Sequence, residues 1–360
     1  MSDSGKAARR LRIAQVAPLY ESVPPKLYGG TERVVSYLTE ELVDQGHRVT
    51  LFASGDSRTT AELVSVWPRA LRLDPRCPEP IALHVVMLEE VFKRESHFDI
   101  IHFHTDGLHP PLARRHTVET LTTLHGRLDL PGLELFYGEF RELPLVSISQ
   151  AQRSPLPSAR WVGTVHHGLP LSLHAPNYQP GQYLAFIGRI SPEKGLDRAI
   201  AIALRAQMRL RIAAKIDRVD SEYFRRHIEP LLQSPLVEYI GEIDERQKTA
   251  FLGCASALLF PVDWPEPFGL AMIEAMACGT PVIAFRRGSV PEVIDEGVTG
   301  CVVDNVDAAV QEVLRIGRFD RRRVRERFEQ RFSARRMAED YSRVYYGLCE
   351  LRDRRCRRRA

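Results

Sequence analysis

The stretch Asp263-Trp264-Pro265-Glu266-Pro267-Phe268-Gly269-Leu270-Ala271-Met272-Ile273-Glu274-Ala275-Met276-Ala277-Cys278-Gly279-Thr280-Pro281 decides how the rest of the chain is read. A short apolar run, residues 257–261, precedes it, and another, residues 281–285, overlaps its end. Runs of that length read as buried strands, with the small apolar segment between them as a helix. Pro267 keeps Glu266 out of helical backbone space, and Pro265 stiffens the approach. Glu266 is therefore held on a rigid, extended turn at a strand's carboxyl end. A helix begins near Phe268, and its first N–H groups lack intrahelical partners and carry the positive end of the helix dipole. That start suits an anion, and a diphosphate in particular. Gly269 admits a ligand close to the backbone. Glu274 lies on an otherwise apolar helix, so it must be ion-paired or accept hydrogen bonds from ligand hydroxyls. Two carboxylates flanking an anion site suit a sugar joined to a nucleotide. The plainer alternative makes Glu266 a loop residue favourable to the dipole and Glu274 half of a salt bridge.

Working outward, strands and helices alternate, which points to parallel sheets covered by helices on both faces. Residues 12–18 read as the first strand, followed by a loop rich in Pro and Gly and a helix over 31–45 that Gly46 ends. Residues 48–53, 99–104, 121–125 and 145–149 read as further strands, and Pro155 and Pro157 mark irregular chain after them. A second set begins with a strand at 183–190 and a helix at 194–206. Strands at 210–215, 237–243, 257–261, 281–285 and 301–303 follow. The final helix, 334–351, carries Met337, Tyr341, Val344, Tyr345 and Leu348 at helical spacing and must pack on something, with a path back across the cleft as one option. The reading is α/β: two doubly wound, Rossmann-like domains facing a cleft, where such sheets bind ligands at strand carboxyl ends. The boundaries are an N-terminal domain at 1–168, a linker at 169–182, a C-terminal domain at 183–333, and a helix with a basic tail at 334–360.

Composition agrees. A chain of 360 residues suggests two domains, and 44% hydrophobic with 27% charged residues is ordinary for a globular protein. No apolar run approaches the roughly 18–20 residues of a membrane span, and the segment after the basic start is too short for a signal-peptide core. Six cysteines without a CxxC pair argue for a reducing cytosol. The net charge is +4, and arginines crowd 318–336 and 352–359. We read these as a solvated helical face with a basic tail. The other reading is weak contact with an anionic membrane surface, peripheral at its inner face. Nucleic acid is disfavoured, since no aromatic interleaving accompanies the arginines.

Glu266 to Glu274 resembles the EX7E motif of the retaining glycosyltransferases of family 4, which have the GT-B fold. Gly188-Arg189-Ile190-Ser191-Pro192-Glu193-Lys194-Gly195 is similar to that family's GR…EKG segment, and the resemblance implies that Arg189 and Lys194 bind the donor diphosphate. A guanidinium and an ammonium near a helix start form a phosphate clamp. Tyr28-Gly29-Gly30-Thr31-Glu32 resembles the family's glycine loop, which implies that the Gly30 backbone lies against the donor phosphate. It lacks the GxGxxG spacing of a nicotinamide enzyme. Thr123-Leu124-His125-Gly126 looks like the segment whose histidine sits near the donor sugar, and a structural His125 is the alternative. Segments 147–153 and 166–169 also resemble the family and read as mainly structural. Residues 214–217 depart from the family's glycine-rich turn. Lys215 and Asp217 there contact the donor or simply pair. The nucleobase is expected near Gly241 and Ile243. His102 and His104 share a strand face with His109 following, but no metal site is expected, because Arg189, Lys194 and the helix start supply the charge.

The expected activity is transfer of a hexose from a nucleotide diphosphate sugar, UDP favoured, to an acceptor hydroxyl with retention of configuration. Glu266, Arg189, Lys194 and His125 are the expected catalytic residues. Gly30, Gly241, Ile243, Phe268, Gly269, Leu270 and Glu274 are expected to bind the donor. No cofactor is expected, and the acceptor is a saccharide, a lipid-linked molecule or a small molecule. The rival readings are a GT-B-fold nucleotide-sugar 2-epimerase, which consumes donor without acceptor, and a non-catalytic nucleotide-sugar-binding scaffold.

Overall fold

The computed structural model describes residues 9–26, 29–77 and 79–359. It divides into two compact units: Met1–Ile148 with Pro155–Val165 and Met337–Ala360, and Ser149–Ser154 with His166–Arg336. Residues 149–154 and 166–168, expected with the N-terminal domain, thus belong to the second unit.

The first unit is built on a seven-stranded sheet. Its strands are β1 (Arg12–Val16), β2 (Arg48–Phe52), β3 (Glu62–Val64), β4 (Ile100–Phe103), β5 (Glu119–Thr123), β6 (Leu145–Ser147) and β7 (Trp161–Thr164), in the order β3-β2-β1-β4-β5-β6-β7. All pairs are parallel. The central strands β1 and β4 are almost wholly buried, as apolar runs covered on both faces must be. Two strands escaped the sequence reading, and both lie at sheet edges. β3 has three residues, and β7 is half-buried along its length, so neither carries a buried apolar run. The helix Pro80–Lys93 escaped as well.

The C-terminal helix Ala334–Arg359 returns the chain to this unit from Met337 onward. Met337, Tyr341, Tyr345 and Leu348 are buried, as their spacing required. Gly163 of β7 leaves room for Val344, whose methyl would lie 3.3 Å from a Cβ placed there. Among the described residues, no helix is long and apolar enough to cross a membrane.

The second unit has a six-stranded parallel sheet: β8 (Tyr183–Arg189), β9 (Leu210–Lys215), β10 (Val237–Gly241), β11 (Ala255–Phe260), β12 (Val282–Phe285) and β13 (Gly300–Val303), in the order β10-β9-β8-β11-β12-β13. Leu184, Phe186, Ile212, Leu259 and Ile283 from its strands pack with Leu196, Ala199, Ile200 and Ala203 of the helix Leu196–Arg205.

The arginine-rich stretch is only in part the solvated face expected of it: Arg322, Arg323 and Arg335 are exposed, but others are not. Arg321 and Arg325, on the helix Arg321–Arg331, are buried. Arg321 donates to the carbonyls of Asn177, Ala255 and Gly253 and to the Thr280 hydroxyl, each at 2.7 Å. Arg325 donates to the carbonyls of His174, Ala277 and Leu171. Three of these carbonyls, of Leu171, His174 and Asn177, belong to the segment expected as a linker, and the fixed guanidinium forks supply their donors. Replacing Arg321 by Met strips donors from three backbone carbonyls at once. We expect a loss of about 3 kcal/mol in urea unfolding, the scale for breaking a buried charged network. A change under about 0.5 kcal/mol, the range of an ordinary surface substitution, would contradict this role.

Candidate functional site

In the second unit the strand order reverses beside β8, whose neighbours are β9 and β11. The turns after β8 and β11 therefore emerge side by side at a topological switch point, where open α/β sheets bind ligands. The two turns are fastened together. The Asp263 N–H donates to the Glu193 carbonyl at 2.8 Å, and Arg198 pairs with Asp263 at 2.7 Å. Gly195, at φ +71°, lies so close to the second turn that a Cβ would stand 2.2 Å from the Pro261 carbonyl oxygen.

This fastening brings Lys194 to Glu266, Nζ to Oε2, at 2.7 Å. The Trp264 indole N–H donates to the same oxygen at 2.9 Å, and the ammonium lies 4.7 Å from the Trp264 ring centroid. Glu266 is only 7% exposed, while the Lys194 side chain keeps 21% of its surface. A third loop braces the bend. The Ser289 N–H donates to the Glu266 carbonyl and its hydroxyl to the Phe268 carbonyl, both at 2.9 Å. Gly288, at φ +52°, makes this approach feasible, since a Cβ would stand 2.3 Å from the Glu266 carbonyl oxygen. Pro265 and Pro267 announced a rigid turn, but nothing in the sequence announced Gly288 and Ser289 as its brace.

The helix after this bend is Leu270–Ala277, with Gly269 before it in the left-handed region. Met272 to Ala277 are buried, whereas Gly269, Leu270 and Ala271 are half-buried, so the amino end is the open end. The Phe268 ring is buried against His167 and Phe332, so its backbone, the part expected to meet the diphosphate, is what it can offer a ligand. Glu274 follows the plainer alternative. It is buried and paired with Lys248 at 2.7 Å, from the helix Glu245–Gly253. Lys248 also reaches Glu245 at 3.4 Å, and His174 stands 3.3 Å from Glu245. His174, Glu245 and Glu274 have the spacing of a metal-ligand group, but the Lys248 ammonium already holds both carboxylates.

Arg189, at the end of β8, sits among carboxylates. It pairs with Glu193, and Asp220 and Asp217 stand at 3.5 and 3.9 Å. Burial raises the Asp220 carboxyl, and the Arg189 charge only partly opposes this. Lys215 pairs with Asp217 at 2.9 Å, the simple pairing the sequence allowed. Gly241 ends the edge strand β10, at φ +77° with open space beside it, and Ile243 is half-buried two residues on. Lys194, Glu266, Gly269 and Leu270 are thus gathered on adjoining turns, while Arg189 and Glu274 are each held by other partners.

In the first unit, Gly30 opens the helix Gly30–Asp44 after β1; Tyr28 lies outside the described residues. His125 follows β5 and meets His104, Nε2 to Nδ1, at 2.8 Å. The histidines that raised a metal reading have other partners. His102 meets Tyr345 and Thr123, His104 meets Gln15, and His109 meets Thr122 and stacks on Phe103.

Comparison with known proteins follows this geometry. Residues 28–219 match the family described as Glycosyltransferase Family 4, and residues 175–330 match Glycosyl transferases group 1. A glycogen synthase of Mycobacterium tuberculosis is 29% identical over 208 residues, 54% of this chain and 45% of that protein. The chain spans about half the length of the curated relatives it matches. Among solved structures, AviGT4, a glycosyltransferase involved in avilamycin A biosynthesis, superposes with a TM-score of 0.71 at 24% identity, covering 94% of this chain and 98% of that one. HepE of Anabaena, solved in complex with UDP and glucose, superposes at 0.68 with 16% identity, over 93% and 99%. These likenesses establish the fold.

The buried imidazoles make the first unit acid-sensitive. Burial pushes His109 down to about 3 and holds His102 well below the usual histidine range. Unfolded, both titrate near pH 6.5, so below that pH the unfolded chain binds more protons than the folded one. Their contribution is full above pH 6.5 and is lost progressively as pH falls from there toward the lowered folded-state values, about 3 for His109. Urea unfolding should show stability dropping by about 2 kcal/mol between pH 6.5 and 5.5. Stability that stays level across that interval would show that these rings are not buried neutral.

Proposed function

The chain belongs to glycosyltransferase family 4 and has the α/β GT-B fold, and from that premise we propose that it transfers a hexose from a UDP-sugar to an acceptor hydroxyl, retaining the anomeric configuration. The observation that carries this reading is the Lys194–Glu266 pair beside the open helix start. A diphosphate is a stronger partner for an ammonium than one carboxylate is. Donor binding draws Lys194 onto the diphosphate and releases Glu266, still held by Trp264, to accept hydrogen bonds from the sugar.

As the glycosidic bond breaks, charge gathers on the leaving diphosphate. Lys194, Arg189 exchanging Glu193 for phosphate, and the N–H groups at the start of Leu270–Ala277 stabilise it. The acceptor oxygen attacks from the face the diphosphate leaves, and the departing phosphate oxygen takes the acceptor's proton. The Gly30 backbone lies against the donor phosphate and His125 meets the sugar. Gly241 and Ile243 border the base. Glu274 reaches the ribose by giving up Lys248. The cations are the protein's own, so transfer needs no metal and persists in a chelator. Family membership and the UDP bound in HepE support a nucleotide-sugar donor.

A panel of nucleotide sugars screened by thermal shift should raise the Tm with UDP-sugars first, since a ligand bound only by the folded form stabilises it. With the donor known, Glu266→Ala, Lys194→Ala and Arg189→Ala should each lower turnover by about 10²–10³-fold. A folded Glu266→Ala variant that transfers sugar at the wild-type rate would remove the assignment. Donor consumed without any acceptor would favour epimerisation.

A further inference from the structure

Two carboxylates share one ammonium at the start of the helix Glu245–Gly253, and the transfer reading uses only one of them. Lys248 Nζ lies 2.7 Å from Glu274 Oε1 and 3.4 Å from Glu245 Oε2. The Lys248 and Glu274 side chains keep 12% and 7% of their surface, whereas Glu245 keeps 24%. The shorter contact is therefore the deeper one. The other Glu245 oxygen, Oε1, stands 3.3 Å from Nε2 of the buried His174 ring, whose Nδ1 meets the Thr249 hydroxyl at 2.9 Å.

Lys248 is awkwardly placed on local grounds. It lies in the opening turns of its helix, and a helical side chain leans toward the amino end, where the dipole disfavours a cation. A mostly buried ammonium there must always face an anion. The neighbouring Cys278 thiol offers none. It is pushed up to about 12, by burial first and by the Glu274 charge second, and stays neutral. The helix start is capped without Glu245: Asp244 Oδ1 accepts the Gln247 N–H at 2.8 Å, and Gln247 Oε1 accepts the Asp244 N–H at 3.0 Å.

We propose that Glu245 is a positioning residue that takes over the Lys248 ammonium when Glu274 turns to a ribose, and so sets how well the site tells a ribose from a sugar lacking its hydroxyls. The inference rests on the donor reading above, in which Glu274 gives up Lys248. The contact at 3.4 Å needs a shift of about 0.6 Å to become a charge-assisted bond. The ammonium stays paired throughout, so Glu274 gains the ribose bonds without stranding a cation. With no second carboxylate, the ribose would have to compete against the ion pair itself.

The test is isothermal titration of the full chain with UDP and with 2′,3′-dideoxy-UDP, or with the same pair carrying whichever base the thermal-shift panel selects. The wild type should bind the ribose form at least about tenfold more tightly, the scale of hydrogen bonds to a charged group. Glu245→Gln keeps the side chain's size and removes its charge. It should bind the ribose form about tenfold more weakly and the dideoxy form within about twofold of wild type, because a ligand without hydroxyls never draws Glu274 away from Lys248. Glu245→Asp should recover part of the preference. A Glu245→Gln variant that keeps the wild-type preference overturns the proposal. Equal weakening of both ligands, the mark of a purely structural role, overturns it too, as does a wild type that does not distinguish them. A chain that shows the expected pattern but transfers no sugar upholds the proposal and removes the transfer reading. A chain that binds no nucleoside diphosphate overturns both.

Discussion

The ion pair between Lys194 and Glu266 is the contact on which the second unit's functional end depends. Each partner stands on a turn leaving one of two adjacent strands, β8 and β11, at the place where the strand order reverses. An exposed pair of this kind would contribute little, about 0–1 kcal/mol. Glu266 is nearly buried, so removing its partner would strand a charge at a cost of about 3–5 kcal/mol. The pair therefore persists until another anion or cation replaces one member. In the proposed reading, the ammonium and the carboxylate wait at positions that a diphosphate and a sugar would take over.

The surrounding backbone exists to keep those positions fixed. Gly195 lets the first turn press against Pro261, and Gly288 lets a third loop press against Glu266. Two prolines stiffen the bend from within the chain, and Ser289 pins it from outside. The same division of labour holds around the helix Arg321–Arg331. Arg321 and Arg325 tie the carbonyls of Leu171, His174 and Asn177 to those of Gly253, Ala255 and Ala277, so an irregular segment becomes a fixed part of the unit.

What the sequence revealed and what it hid separate along one physical line. Periodicity and apolar runs report on a segment's own burial. That is why β8, β11, the bend at Glu266 and the buried stripe of the C-terminal helix were readable. Partners distant in sequence leave no such trace. Lys248 gives no sign that it will meet Glu274, and the arginines of Arg321–Arg331 read as a solvated face because their carbonyl partners lie more than a hundred residues away in some cases. The spacing of Tyr345 predicted a buried ring, but not a phenol bonded to Gln15 and His102. β3 and β7 failed for the opposite reason. As short, half-buried edge strands, they lack the apolar run that marks their neighbours.

The exchange of partners proposed for Lys194 is tested most directly by a crystal structure of the chain with UDP bound. The account predicts the Lys194 ammonium within hydrogen-bonding distance of a phosphate oxygen, with the Glu266 carboxylate released from it and still bonded to the Trp264 indole. UDP bound with the Lys194–Glu266 pair intact, and its phosphates remote from both the ammonium and the start of Leu270–Ala277, would contradict it.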